Sequence, residues 1–233
     1  FTADGKRIAN WDLKAHGKVT MTNVLEQSIN TGSVFAQQKT GREKFYNYLL
    51  KFGFKELTGI DLPGEVAGRL TPLEKYPRDI NYAVASYGQG MTTTPIGLIR
   101  AVSAIANRGI MKTPYITEKG QSDDSRTVIS EFTARQVTEM MVSAVDKAKI
   151  AAIPHYRIAG KTGTAFIAER GGYADDVINT YVGFAPADEP RFIILIKIDR
   201  PKNAPLAGQT VVPAFHDLAE WLLSYYNVPP DRN

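Results

Sequence analysis

Three apolar, strand-like segments followed by an amphipathic helix occupy the C-terminal third of the chain. The segments are Arg157–Ile167, Ile178–Phe184 and Arg191–Asp199, and polar turns at 169–176 and 187–190 join them. Strands joined by short turns of this kind are typical of an antiparallel sheet. The helix that follows should cover one face of that sheet, because its apolar residues recur at i, i+3 and i+4: Phe215, Leu218, Ala219, Leu222, Leu223 and Tyr226.

The preceding residues, 1–155, have mainly helical patterns. Residues 55–80 hold six glycines and prolines that interrupt any long element. Apolar spacing and capping signals predict helices near Met21–Gln27, over Arg42–Phe52, after Thr94-Pro95 and after Ser130. This order of elements, with helices first and then strands followed by a closing helix, predicts an α+β fold with an antiparallel sheet. We therefore divide residues 1–233 into a helical part, 1–155, and a sheet part with its closing helix, 156–233.

The first strand-like segment carries the polar run Lys161-Thr162-Gly163-Thr164. Gly163 has no side chain, so a ligand can lie against the backbone while the ammonium and hydroxyl groups reach its carboxylate. A Lys-Thr-Gly triplet arises by chance in about one chain in twenty of this length. A second copy, Lys39-Thr40-Gly41, precedes the helical pattern at 42–52 and is interpreted as a helix start without chemistry.

Composition excludes several classes of function. The chain has 43% hydrophobic residues and is not disordered, while its net charge of +4 comes from scattered residues without a basic stripe, which argues against nucleic-acid binding. It has no cysteine, which excludes thiol catalysis, disulfides and cysteine zinc sites. His16, His155 and His216 are unclustered and no metal-binding spacing occurs, so we predict neither a metal nor a cofactor. The longest apolar run, Phe192–Ile196, is far too short to span a membrane.

Several motifs occur in the order found in one family of serine enzymes. They are Ser28-Ile29-Asn30-Thr31-Gly32, Leu62-Pro63-Gly64-Glu65, Tyr87-Gly88-Gln89-Gly90-Met91 with Thr94-Pro95, and Lys161-Thr162-Gly163-Thr164-Ala165. The chain resembles the transpeptidase domain of penicillin-binding proteins over essentially its whole length, and is most similar to the monofunctional, class B transpeptidases of cell elongation and division. The resemblance implies the penicillin-binding, serine β-lactamase-like fold, incomplete in this chain.

One motif of that family is missing. The nucleophile lies in a Ser-x-x-Lys motif, and no serine or threonine of this chain has a lysine three residues later. The motif would fall before Phe1. We therefore expect the sequence to be the C-terminal part of a transpeptidase domain, inactive alone, whose upstream segment supplies the serine.

The resemblance implies roles for the first motif and for Lys161. Ser28 would relay a proton between the active-site lysines and the leaving amine, and Asn30 would hydrogen-bond the amide of the substrate. Lys161 would raise the local positive potential and hold Ser28 in position.

The rest of the Lys-Thr-Gly-Thr motif is implied to bind substrate. Thr162 and Thr164 would bind its terminal carboxylate, and the backbone N–H of Thr164 would be one of two oxyanion-hole donors. Gly163 would leave room for the substrate to approach the strand.

The implied reaction is D,D-transpeptidation of peptidoglycan, with D-Ala-D-Ala stem peptides as substrates and β-lactams as inhibitors. The resemblance also implies a location at the outer face of the cytoplasmic membrane, with an anchor in an N-terminal segment not in this chain. It further implies membrane-embedded cell-wall synthesis proteins as partners. Two alternatives stay open. One is a D,D-carboxypeptidase or serine β-lactamase-like hydrolase, which passes the acyl group to water, and the other is a non-catalytic module that docks a partner chain.

Overall fold

The structure is a computed structural model that describes residues 1–169, 172–202 and 206–232. The chain forms two compact units. The first comprises Phe1–Ala104 and Gly109–Ser130, and the second comprises Ile105–Arg108 and the residues from Glu131 onward. The division between residues 155 and 156 that the sequence suggests stays a prediction about the domains.

The first unit is mainly helical, with two small antiparallel strand pairs. Its elements, in chain order, are β1 (Thr2–Ala3), β2 (Lys6–Arg7), α1 (Met21–Glu26), α2 (Asn30–Thr40), α3 (Arg42–Lys51), α4 (Thr71–Lys75), α5 (Asp79–Ala85), α6 (Pro95–Ala106), β3 (Ile110–Lys112) and β4 (Ser125–Thr127). A short 3-10 helix lies at Glu118–Gly120, and the last two residues of α6 belong to the second unit.

Most of the helices that the sequence predicts in this unit are confirmed. Thr94 caps α6, because its Oγ1 accepts a hydrogen bond from the N–H of Gly97 at 3.1 Å. Gly53, with φ +77°, follows the end of α3 as expected. Helices α2, α4 and α5 were not predicted. The interpretation of Lys39-Thr40-Gly41 as a helix start is wrong for its first two residues, which form the end of α2, and α3 begins directly after Gly41, whose φ is +83°.

The second unit contains α7 (Glu131–Ala148), three strands and α8 (Ala207–Tyr225). The strands are β5 (Ala159–Glu169), β6 (Gly172–Ala185) and β7 (Phe192–Asp199), which pair antiparallel in the order β5-β6-β7. The predicted α+β fold with an antiparallel sheet is therefore confirmed. The predicted turn at 169–176 is too long, because β5 continues to Glu169 and β6 begins at Gly172. Gly171, which the sequence also places in that turn, lies outside the described residues.

Helix α8 covers the sheet through one aromatic contact and a stripe of buried apolar residues. The rings of Phe215 and Tyr181, on β6, lie 4.5 Å apart. Gly183 makes this approach possible, since a Cβ there would lie 2.7 Å from the Phe215 ring. The buried face of α8 also includes Val211, Val212, Ala219 and Leu223.

The predicted apolar face of α8 is partly wrong. Leu218 and Tyr226 were expected to face the sheet, but they are 40% and 48% exposed. The buried residues continue instead toward the start of the helix, at Val211 and Val212. In the described part of the chain, none of the helices is both long and apolar enough to cross a membrane.

Candidate active site

Strand β5 carries the Lys161-Thr162-Gly163-Thr164 motif at one edge of the sheet. Within the described residues, β5 pairs with β6 and with no other strand. An edge strand leaves half of its backbone N–H and C=O groups unpaired, so an extended ligand can pair with it. The motif therefore lies where a peptide-like ligand can reach the backbone.

The side chains of the motif alternate between the two faces of the sheet. We call the face that helix α8 covers the α8 face. Tyr181 of β6 lies on this face, because its ring contacts Phe215 of α8. Thr164 shares this face, since its hydroxyl reaches the side chain of Asn179, its cross-strand neighbour. Alternation then places Thr162 on the α8 face, and Lys161 on the opposite face.

The ammonium group of Lys161 nevertheless meets the hydroxyl of Thr162. Lys161 Nζ donates to Thr162 Oγ1 at 3.1 Å and to the Thr162 carbonyl oxygen at 3.0 Å. Because β5 is an edge strand, the lysine can reach around the edge from the other face. A cation and a hydroxyl thus converge beside the backbone, as the sequence predicts for an anion-binding edge.

Burial changes the acid–base behaviour of Lys161. Desolvation lowers the pKa of its ammonium group to about 8 from an ordinary value of 10.5. A lysine with such a pKa exchanges its proton in the mildly alkaline range, where it can act either as a cation or as a base. Lysines with a perturbed pKa are frequent in catalytic sites.

Two glycines shape the strand around Lys161. A Cβ at Gly160 would lie 2.0 Å from the hydroxyl oxygen of Tyr181, so the buried Tyr181 ring occupies the space of the missing side chain. A Cβ at Gly163 would lie 2.5 Å from Thr180 Oγ1. The reason for glycine at 163 is therefore partly internal packing, in addition to the ligand access that the sequence suggests.

Thr164 belongs to a polar chain that sequence reasoning missed. Its hydroxyl donates to Asn179 Oδ1 at 3.1 Å, and Asn179 Nδ2 donates to Thr210 Oγ1, on α8, also at 3.1 Å. Asn179 is 0% exposed. Its polarity within the apolar run 177–184 of β6 was the available signal, but the partners depend on strand register.

Ser28 and Asn30 lie at the corner between α1 and α2 in the first unit. Ser28 has a φ of +52°, in the left-handed region, and separates the two helices. Asn30 is the first residue of α2 and donates through Nδ2 to the carbonyl oxygen of Ala9 at 3.0 Å. A positive φ is uncommon for serine and fixes the direction in which the chain turns into α2.

The segment at 9–11 holds this corner. Asn10, which is 5% exposed, accepts hydrogen bonds from the N–H and the hydroxyl of Thr31, both at 3.0 Å. It therefore caps α2, because the residue at the N-cap position itself, Ile29, makes no side-chain cap bond. Trp11 Nε1 donates to the carbonyl oxygen of Gln27 at 2.9 Å.

The sequence-predicted site residues are thus placed in two groups. Ser28 and Asn30 lie in the first unit, whereas Lys161, Thr162, Gly163 and Thr164 are consecutive on β5 in the second. The structure brings together Lys161 and Thr162 by direct contact. The Thr164 hydroxyl donates to Asn179 instead of contacting Lys161 or Thr162.

Comparison with known sequences identifies relatives of this chain. Residues 1–220 match the penicillin binding protein transpeptidase domain. The chain is 37% identical to stage V sporulation protein D of Bacillus subtilis, over 99% of this chain and 38% of that protein. It is 36% identical to penicillin-binding protein PbpB of Mycobacterium tuberculosis, over 94% of this chain and 36% of the relative. The chain therefore spans less than two fifths of the length of these two relatives.

Solved structures agree with this match. The transpeptidase domain of Burkholderia pseudomallei penicillin-binding protein 3 superposes with a TM-score of 0.89 at 31% identity, over 100% of this chain and 72% of that one. Penicillin-binding protein 3 of Mycobacterium tuberculosis, in complex with ampicillin, gives 0.83 at 33% identity, over 92% of this chain and 52% of that one. The chain belongs to the penicillin-binding protein transpeptidase family.

Proposed function

We propose that this chain is the C-terminal part of the transpeptidase domain of a peptidoglycan D,D-transpeptidase. The observation that carries the proposal is the convergence of the Lys161 ammonium and the Thr162 hydroxyl beside Gly163, on an edge strand open to an extended ligand. A D-Ala-D-Ala stem peptide is such a ligand, since it is a short peptide that ends in a carboxylate. One relative of this chain, FtsI of Buchnera aphidicola, is called a peptidoglycan D,D-transpeptidase.

The reaction is acyl transfer through a serine ester. The serine oxygen attacks the carbonyl carbon between the two D-alanines, the C–N bond breaks, and the terminal D-alanine leaves with a proton on its amine. An amine of a second stem peptide then attacks the ester, and the serine recovers its proton. The serine and its lysine base are supplied by a Ser-x-x-Lys segment outside residues 1–233.

The Lys-Thr-Gly-Thr strand binds and polarises the substrate. Lys161 and Thr162 hold the terminal carboxylate through charge-assisted hydrogen bonds, which are about twice as strong as neutral ones. The N–H of Thr164 donates to the developing oxyanion, and one such donor contributes about 3 kcal/mol to transition-state stabilisation. The Thr164 hydroxyl also binds the terminal carboxylate. Gly163 has no side chain and so leaves room for the substrate to approach the strand.

The Ser28 corner contributes the proton transfer. The Ser28 hydroxyl passes a proton to the amine of the leaving D-alanine, and the Asn30 side chain hydrogen-bonds the substrate amide. Hydrogen bonds from Trp11 to Gln27 and from Asn30 to Ala9 hold the turn at Ser28, which supports this role because a hydroxyl that relays a proton must keep one position.

Inhibition by β-lactams follows from the same chemistry. Penicillins carry a carboxylate beside a reactive amide, and one relative, penicillin-binding protein 3 of Mycobacterium tuberculosis, has been solved in complex with ampicillin and in complex with aztreonam. The complete protein acts at the outer face of the cytoplasmic membrane, anchored by an N-terminal segment, and works with membrane-embedded cell-wall synthesis proteins.

Two other functions use the same residues. A D,D-carboxypeptidase or serine β-lactamase-like hydrolase would give the acyl group to water, and an added acceptor amine distinguishes them because only a transpeptidase forms the amide product. A docking module without turnover would bind a partner chain and show neither product.

An intact-mass measurement after incubation with benzylpenicillin tests the proposal. We expect no adduct on residues 1–233 alone and one acyl adduct per molecule when the upstream Ser-x-x-Lys segment is present. An adduct on the lone chain would contradict the assignment of the nucleophile and would make Ser28 the first residue to mutate. The absence of an adduct from both samples would contradict the transpeptidase proposal itself.

A further inference from the structure

Ser28 occupies a position at the end of α1 that is usually a glycine. The N–H of Ile29 donates to the carbonyl oxygen of Val24 at 3.0 Å, and inside this bond the N–H of Ser28 donates to the carbonyl oxygen of Leu25 at 3.4 Å. This nested pair of bonds is the Schellman motif, which requires a positive φ at the residue that is Ser28 here. Ser28 adopts it, with a φ of +52°. A serine is less stable than a glycine in this conformation, so the turn is held less firmly by its own backbone.

Trp11 holds the peptide group that leads into Ser28. A carbonyl group at the end of a helix has no partner within the helix, and Trp11 Nε1 supplies one by donating to the carbonyl oxygen of Gln27 at 2.9 Å. The N–H of the same peptide group makes only the longer bond of 3.4 Å to Leu25. The φ of Ser28 is the rotation between this planar group and the Ser28 Cα. The bond from Trp11 therefore helps to fix the direction in which the Ser28 side chain leaves the backbone.

The indole ring of Trp11 contributes little to the core. Trp11 is 63% exposed, although tryptophan is highly buried on average. Its neighbour Asn10, in contrast, is 5% exposed. A mostly exposed tryptophan whose N–H is used on the residue before Ser28 is explained by the turn better than by burial.

We infer that Trp11 is a positioning residue for the hydroxyl of Ser28. The inference rests on the proposed function, in which this hydroxyl gives its proton to the leaving nitrogen as the C–N bond breaks and takes one from an active-site lysine. Such a relay needs the oxygen within hydrogen-bond reach of both groups, and a displacement of about 1 Å can slow a reaction about a hundredfold. Trp11 keeps the oxygen in place through the Gln27–Ser28 peptide group.

Two substrates with the same acyl group and different leaving groups test this inference. One is a stem peptide that ends in D-Ala-D-Ala, whose amine leaves with a proton. The other is the same peptide with thiolactate in place of the last D-alanine, and its thiolate leaves without a proton. We would measure kcat/KM for release of each leaving group in the longer protein that includes the Ser-x-x-Lys segment, because this constant reports acylation. The ratio of peptide to thioester isolates protonation, since a general loss of structure slows both substrates.

The variant Trp11→Phe should lower this ratio about tenfold. It keeps an aromatic ring and removes the N–H bond to Gln27, which is exposed, so urea unfolding should show that the variant is folded. The matched control is Tyr46→Phe, which also removes one donor from an aromatic side chain, the hydroxyl that donates to Glu74 at 2.7 Å. Tyr46 packs against the cluster around Leu73, so this control should leave the ratio unchanged.

A double substitution shows whether Trp11 acts through Ser28. Ser28→Ala should lower the ratio about a hundredfold, the usual contribution of a positioned proton donor, and Trp11→Phe should then cause no further decrease. A further tenfold decrease in that background would overturn the inference, because Trp11 would then act independently of the hydroxyl.

The remaining outcomes separate the inference from the proposed function. Equal ratios for wild type and Trp11→Phe, with both substrates consumed, would overturn the inference and leave the proposed function standing. An unchanged ratio in Ser28→Ala would contradict the proton relay, and with it the inference. No acylation of wild type by either substrate would overturn the proposed function itself.

Discussion

Lys161 combines a binding role with an unusual proton affinity. Its pKa is lowered to about 8 by burial, so the side chain is an ammonium below this pH and increasingly an amine above it. If the ammonium holds the ligand carboxylate, acylation by benzylpenicillin should fall as the pH rises through about 8, by about tenfold per pH unit well above it. The measurement is a pH–rate profile on the longer protein that carries the nucleophile.

The matched variants for this profile are Lys161→Arg and Lys197→Arg. A guanidinium stays charged, so Lys161→Arg should remove the decline near pH 8. Lys197, on β7, forms an ion pair with Asp199, and its substitution should leave the profile unchanged. A decline that persists in Lys161→Arg would assign the titration to another group.

The same pKa affects stability with a definite sign. Between about pH 8 and the ordinary value of 10.5, the folded protein binds fewer protons at Lys161 than the unfolded chain does. The contribution of this residue to stability therefore rises with pH across that window, and its cost to folding is fully present below about pH 8. Binding and stability thus respond to pH in opposite directions.

Gly160 is required by packing, and its substitution should destabilise the second unit. A Cβ at this position would lie 2.0 Å from the hydroxyl oxygen of Tyr181, which is buried against Phe215 and has little space to move. Gly160→Ala should lower the free energy of unfolding by about 1–3 kcal/mol, the usual cost of overpacking. Urea denaturation measures this change.

Gly172 offers the control within the same sheet. A Cβ there meets no atom within 4 Å, so Gly172→Ala should have little effect on stability. Gly163→Ala should destabilise less than Gly160→Ala, since its contact is to Thr180 Oγ1, which can rotate away. Equal losses for Gly160→Ala and Gly172→Ala would contradict the packing argument.

The candidate site was predictable where neighbours in sequence are neighbours in space. Lys161 and Thr162 adjoin on one strand, so the motif alone indicated a cation beside a hydroxyl. Asn179 and Thr210 were not predictable, because their contacts depend on the register of β5 with β6 and on the rotation of α8. A buried polar residue in a strand signals a partner without identifying it.

At the scale of the helices, the cap of α2 comes from a distant segment. Asn10 satisfies the N–H of Thr31, and it also donates through Nδ2 to the carbonyl oxygen of Lys14 at 2.8 Å. Asn10→Ala removes these two bonds and the one from the Thr31 hydroxyl at a buried position, and should lower the free energy of unfolding by about 2 kcal/mol. Chemical denaturation of the first unit provides the measurement.

Asn10→Asp separates the cap from the loop contact. Aspartate retains an acceptor for Thr31 and adds a favourable negative charge at the start of α2, but it cannot donate to Lys14. It should therefore be less destabilising than Asn10→Ala. If the two variants were equally unstable, the cap would contribute little and the loop contact would account for the loss.

Helix α8 shows why sequence patterns identify an element better than its orientation. The predicted stripe included Phe215, Ala219 and Leu223, which are buried, and Leu218, which is 40% exposed. Apolar residues occupy more than one face of this helix, since Trp221 and Tyr225 stack on each other while both remain mostly exposed. Periodicity alone cannot choose between such faces.

At the scale of the whole molecule, the chain's last described residues fasten the segment that leads into β5. Asp231 Oδ1 accepts from the N–H of Arg157 at 2.8 Å, and the carbonyl oxygen of His155 accepts from the N–H groups of Asp231 and Arg232, both at 3.1 Å. Tyr156 donates its hydroxyl to the carbonyl oxygen of Val228 at 2.8 Å. These contacts join residues more than 70 positions apart, so sequence patterns did not reveal them.

Removal of residues 228–233 should therefore destabilise the second unit by about 5 kcal/mol. The loss combines the burial of Val228, which contributes about 1.5 kcal/mol, with the four hydrogen bonds just described, which contribute about 1 kcal/mol each. Arg232→Ala alone should cost less than about 1 kcal/mol, because its ion pair with Asp146 is partly exposed. Urea unfolding of both variants distinguishes the contributions, and an Arg232→Ala loss as large as that of the truncation would show that the ion pair, rather than the buried tail, fastens the entry to β5.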